Sequence, residues 1–198
     1  MMSEKTPKYA ASLFGYLLTG DARQQKLFLF MGKPRSGKGT LARVLEQFIG
    51  RNNVAGFHLK SLDNELGLEE LIDKRLAVVG DARLDGRSHK AVSRLLSISG
   101  QDKMTINRKN EKKWHGTLRV RFLILTNPLL NLTDASGVIA TRFIPVVFSE
   151  NFEGRLNENL TADFADRAFR YFELGDRRSE AVASSWVFRP APVFPRCS

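Results

Sequence analysis

The nine residues GKPRSGKGT, at positions 32–40, constrain this 198-residue chain more than any other feature. They follow the apolar run KLFLFM (26–31), which reads as a buried strand. They precede Leu41, Val44, Leu45, Phe48 and Ile49, which recur at helical spacing, with Gly50 as a C-cap. The spacing is G-x-x-x-x-G-K between a strand and a helix, the context in which such a loop cradles phosphates. Gly32 and Gly37 let the backbone curl so that successive N–H groups face an anion. A helix beginning near Lys38 adds the partial positive charge of its N-terminus. The candidate cradle is therefore Gly32, Lys33, Pro34, Arg35, Ser36, Gly37, Lys38, Gly39 and Thr40, with Lys38 reaching the β- and γ-phosphates of ATP. The residue after the lysine is Gly39 rather than Ser or Thr, so Thr40 is the hydroxyl expected to hold magnesium. Kinases, GTPases and motor ATPases share this loop, so it does not choose among them.

The rest of the chain supplies the sheet. Arg75–Val79, Val120–Leu125 and Phe143–Phe148 read as further strands, and His89–Ser97 as a helix. Pro145 argues for an edge or a bulge. Strands alternating with helices predict an α/β fold, a parallel sheet flanked by helices. Tyr9–Leu18 suits a short helix ending at Gly20, which makes 1–25 a lead-in, 26–150 the core and 151–198 a tail. Asp81, after LAVVG, stands where ligands bind in such sheets and is a second candidate for magnesium. Ala82 follows it where a water-polarising Glu would stand, so the group that activates water is open. Asn127 closes the strand FLILT and is a candidate contact to the γ-phosphate or the attacking water. Arg142 reads either as a finger stabilising charge at a neighbouring subunit's ATP or as an ordinary salt-bridge partner.

Charge adds a second constraint. The chain has 31 Lys+Arg against 21 Asp+Glu, a net +10, which points to a polyanion. Residues 102–121 carry seven Lys/Arg and two acids, hence +5, so half the excess sits in a tenth of the chain. Met104–Asn107 and Thr117–Val120 are expected to pair as a hairpin around a lysine-rich tip. Arg108, Lys109, Lys112 and Lys113 are its candidate contacts to DNA phosphates. Trp114 either stacks on a base or anchors the hairpin to the core, and His115 could meet a phosphate. The single cysteine, Cys197, excludes an internal disulfide and a cysteine zinc site. No apolar run reaches ~18 residues, so no membrane span is expected. The N-terminus, with an acid, a proline and a broken apolar stretch, is unlike a signal peptide, which fits a cytoplasmic protein.

Taken together, GKPRSGKGT, LAVVGDARL, RLLSISGQDKMTINRK, RFLILTNPL and ASGVIATRF resemble, in order and spacing, the superfamily 3 helicase domain of phage and plasmid primase–helicases. That is the poxvirus-type branch of the AAA+ P-loop NTPases. The resemblance runs from about Tyr9 to Asp163. It implies Lys38 as the Walker A lysine, Asp81 as the Walker B acid, Asn127 as the sensor asparagine and Arg142 as the arginine finger. It further implies a basic β-hairpin insertion gripping single-stranded DNA in the pore of a homo-oligomeric ring, usually a hexamer. The predicted function is an ATP-dependent DNA helicase motor from a phage, prophage or plasmid replication module. The alternatives are a non-catalytic remnant that binds nucleotide and DNA, and a small nucleotide kinase. Family members usually carry a primase region before this domain, so the chain reads as a motor cut from a longer protein. Beyond Phe164 it departs from the family. AFRYFELGDRRSEAV, back-translated in a shifted frame, gives a family-like segment containing LNWAIEG. The tail is therefore expected to be a frameshift product without stable packing.

Overall fold

A computed structural model describes residues 15–17, 23–80, 89–127 and 137–154. In chain order its elements are β1 (Leu27–Gly32), α1 (Lys38–Ile49), β2 (Val54–Gly56), β3 (Leu76–Val79), α2 (His89–Gly100), β4 (Met104–Arg108), β5 (Glu111–Gly116), β6 (Arg121–Thr126), α3 (Val138–Arg142) and β7 (Phe143–Phe148). Short 3-10 turns lie between α1 and β3. Five strands form one parallel sheet in the order β2-β3-β6-β1-β7, while β4 and β5 form a separate antiparallel hairpin. The fold is α/β, as the alternation of strands and helices predicts.

Strand alternation explains why the central strands are apolar throughout. Leu27 and Leu29 of β1 face one cluster, with Phe122 and Ile124 of β6 and Ala77 and Val79 of β3. Phe28 and Phe30 face the other, with Leu123 and Leu76. The first face is covered by Ala91, Val92, Leu95 and Ile98 of α2 and by Leu59, Leu62, Leu68 and Leu71. The second is covered by Ala42, Leu45 and Ile49 of α1 and by Tyr16 and Leu17. Aromatic rings interlock across both layers: Tyr16 meets Phe28 at 5.6 Å, Phe30 meets Phe148 at 5.1 Å and Phe57 meets Phe122 at 5.8 Å between centroids. Phe28, Phe30 and Phe122 are fully buried, each contributing roughly 1.5–3 kcal/mol.

Pro145 lies on the edge strand β7, opposite Leu29, where its missing N–H costs no interior ladder bond. The other edge, β2, is not foreseen from sequence, because three residues ending in a glycine carry no strand periodicity. Helix α2 runs to Gly100, past the expected end at Ser97. Ile98 is buried in the core, which holds the last turn against the sheet, and Ser99 Oγ donates to Leu95 O at 2.6 Å.

The hairpin departs from its expected register. Its second strand is Glu111–Gly116, not Thr117–Val120, and its tip is Lys109–Asn110, with Asn110 at φ 59°. The true register sets Ile106 against Trp114, so both large apolar side chains share the core-facing side. Leu118 and Val120 are buried in the core on the way into β6. Lys112 and Lys113 therefore stand on a strand and not at the tip. The expectations for residues 1–14 and 155–198, the tail among them, lie outside the described residues.

Trp114 folds over Gly116, where an added Cβ would stand 2.7 Å from the indole ring. Gly116→Ala is expected to push the ring off the core and destabilise the protein by ~1–3 kcal/mol. A lowered urea midpoint with a red shift in tryptophan emission checks this.

Candidate nucleotide site

The loop after β1 is shaped by its glycines. A Cβ on Gly32 would strike Phe148 O of β7, so the loop can leave the sheet here only with a glycine. Gly37 has φ 90°, and Arg35 has φ 57°. Helix α1 then starts at Lys38 with no side-chain cap and no acid in its first turn. Its free amides and dipole are left for an external anion.

Lys38 is the centre of the loop. Only 7% of it is exposed. Its Nζ donates to Gly32 O at 2.7 Å, Lys33 O at 2.7 Å and Ser36 Oγ at 3.1 Å. Burial holds its pKa below the ordinary lysine value. A cation wrapped in neutral acceptors, beside uncapped helix amides, fits a phosphate chain and offers nothing to a cation. Thr40 sits in the first turn of α1, half-buried. Lys33, Pro34 and Arg35 are exposed.

The sheet order brings other predicted residues to the same edge. Met31 is opposite Thr126, so Asn127 follows β6 beside the loop and is exposed. Strand β3 runs parallel to β6, with Val79 opposite Ile124, so its C-terminal end points the same way. Asp81, two residues beyond, lies outside the described residues.

Arg142 does not join this edge. It precedes Phe143, which is opposite Leu27, at the other end of β1. Five residues of strand, roughly 17 Å at ~3.3 Å each, separate that end from the loop. The Arg142 guanidinium donates to Leu96 O at 2.7 Å and to Ser99 Oγ at 2.6 Å, against the end of α2.

The hairpin sorts its cations. Arg108 pairs with Glu111 at 2.5 Å and lies 4.0 Å from Glu69, and the Lys109 N–H donates to Glu69 Oε2 at 3.2 Å. Lys109, Lys112, Lys113 and His115 are exposed. His115 Nδ1 shares a 2.9 Å hydrogen bond with Thr105 Oγ1 across the strands. Trp114 packs against the core, which makes it the hairpin's anchor.

Sequence reasoning missed two groups. One is Glu69, which ties the hairpin tip to the body. The other is the segment after β7: Phe152 N–H donates to Arg35 O at 3.0 Å, and Glu153 pairs with Arg35 at 2.8 Å. Neither has a periodicity or motif, since both are defined by partners 40 to 118 residues away.

Residues 30–142 match the model of a family described as a family of unknown function, DUF5906. A thymidylate kinase from Plasmodium falciparum (isolate 3D7) is 36% identical over 59 residues, 30% of this chain and 28% of that protein. The apo structure of the NrS-1 C-terminal region superposes with a TM-score of 0.65 at 18% identity, covering 91% of this chain and 41% of that one. A structure of JCV helicase gives 0.53 at 18% identity, covering 79% and 46%. The chain thus spans less than half of each. At these identities the solved structures establish a shared fold, consistent with a P-loop NTPase. Among the described residues no helix is long and apolar enough to cross a membrane.

Lys38→Ala should leave the melting temperature of the free protein within ~4 °C, a change of at most ~1 kcal/mol, because relief of the buried ammonium's desolvation offsets the loss of its three hydrogen bonds. It should abolish the rise in melting temperature that millimolar Mg-ATP gives the parent. Differential scanning fluorimetry reads both.

Proposed function

The chain belongs to the DUF5906 family of unknown function, and we propose that it is the ATP-hydrolysing motor domain of a ring-forming DNA helicase of the superfamily 3 type. The observation that carries the reading is the buried Lys38, closed in a loop at the C-terminal edge of a parallel sheet. The loop amides and Lys38 would hold the phosphates, and Thr40 with Asp81 would hold magnesium, which offsets the charge of the phosphates. Asn127, exposed just after β6, would orient the attacking water.

Arg142 serves this reaction only from a neighbouring subunit, since strand β1 separates it from its own loop. Hydrolysis then requires assembly. The hairpin supplies exposed cations on a strand pair anchored by Trp114, a shape that tracks phosphates without reading bases. A replication role in a phage, prophage or plasmid, with a primase region elsewhere in the protein, is the biological setting we propose. The tail from about residue 164 we assign to a frameshift.

The 36% identity to a thymidylate kinase favours a second reading, a small nucleotide kinase. Kinase action would transfer phosphate to thymidylate without DNA, whereas the motor's hydrolysis rises with single-stranded DNA. A non-catalytic remnant would bind ATP and DNA and turn over neither.

The ATPase rate per chain should climb with protein concentration and with single-stranded DNA. Lys38→Ala and Arg142→Ala should each be inactive alone, yet regain partial activity when mixed, because one variant supplies the loop and the other the arginine. Absence of recovery, in mixtures that still assemble by light scattering, refutes action in trans. Lys109→Ala with Lys112→Ala should retain basal hydrolysis and lower the salt slope of single-stranded DNA binding by about 1.4, at ~0.7 for each phosphate that a removed lysine neutralised. Fluorescence anisotropy at several salt concentrations measures it.

A further inference from the structure

We propose that Phe152 is the surface on which the base of the bound nucleotide stacks. The inference rests on the reading of the loop as a nucleoside triphosphate site and adds where the rest of that molecule lies. Phe152 is one of few large apolar residues left exposed among the described residues, at 44%. It stands at the loop, not on a remote face: its Cε2 is 3.8 Å from where a Cβ on Gly37 would be. Gly37 is the residue that opens α1.

Three polar interactions hold the ring in place without covering it. The Phe152 N–H donates to Arg35 O at 3.0 Å. The Arg35 guanidinium pairs with Glu153 Oε1 at 2.8 Å. The Glu153 N–H donates to Asn151 Oδ1 at 2.9 Å. An aromatic side chain whose backbone is fixed on both sides, but which stays 44% exposed, leaves apolar surface in water that no core contact covers. A planar ligand repays that exposure. With the phosphates on the loop's amides and Lys38, ribose and base would lie outside the loop, and Phe152 stands at its rim beside Gly37. Every base has a π-face, so stacking here is indifferent to base identity.

The test titrates the full chain calorimetrically with Mg-ATP, Mg-GTP and inorganic tripolyphosphate. Phe152→Ala should weaken ATP and GTP alike, by about tenfold, and leave tripolyphosphate affinity unchanged. Phe152→Trp should restore nucleotide affinity, and its added emission should be quenched by ATP but not by tripolyphosphate. Equal losses for ATP and tripolyphosphate would mean that the ring merely props the loop, which overturns the proposal. So would an unchanged ATP affinity in Phe152→Ala, or an equal loss in Phe152→Trp. If the parent chain binds neither ATP nor tripolyphosphate, the nucleotide reading itself falls and the base site with it. If the parent binds both and the Phe152 variants behave like it, the base site alone falls.

Discussion

The Lys38 ammonium sits nearly dry, held by carbonyls of its own loop, and much of the surrounding structure follows from keeping it there. Two backbone oxygens and a serine hydroxyl satisfy its protons but bring no negative charge. Burial lowers its pKa. Maintaining that arrangement requires a loop that turns back on itself at Gly32 and Gly37. It also requires a sheet rigid enough that Phe148 passes directly over Gly32. The central strands supply that rigidity by being buried on both faces. A polyanion at this point would bring the missing counter-charge and the partner for α1's uncapped amides together.

The parallel sheet has two ends with different chemistry. At its C-terminal end lie the loop of residues 32–40, Asn127 and the segment carrying Phe152. At its N-terminal end Arg142 is packed on the last turn of α2. In the proposed motor these ends belong to successive subunits, so a site is finished only when one molecule's arginine end meets another's loop end. The hairpin is a third region, fixed by Trp114 below and by Glu69 at its tip. Arg108 is occupied by Glu69 and Glu111, which leaves Lys109, Lys112 and Lys113 as the exposed cations of the hairpin's candidate DNA contacts. In the proposed motor, exposed lysines on a held strand pair would suit sliding along phosphates better than buried ion pairs.

Most of the sheet was legible along the chain. Runs such as KLFLFM and RFLIL are apolar at nearly every position because both of their faces are covered, and such runs are short enough to be strands. The turn after β1 was legible because its backbone shape requires glycines at set spacing, Gly32 against Phe148 O and Gly37 at positive φ. A hairpin beginning at Met104 was legible from the chain, but its register was not. The expected second strand, Thr117–Val120, lies just after the true one, and the packing of Ile106 and Trp114 on one face selects Glu111–Gly116. The three-residue β2 carried no pattern at all, and Glu69 and Phe152 look like ordinary surface residues until their partners arrive.

Sequence alone thus determined a parallel α/β sheet, a glycine-shaped loop after its first strand and a concentration of positive charge in one insertion. Each of these depends on residues adjacent or nearly so, where steric and periodic rules act locally. Tertiary structure decided what those parts face. It set Arg142 at the end of the sheet away from its own loop, bound Arg108 to acids and left the lysines bare. It also laid Phe152 beside Gly37. These depend on the order in which strands pair, and that order comes from burying both sheet faces at once, a condition on the whole chain that no short segment encodes.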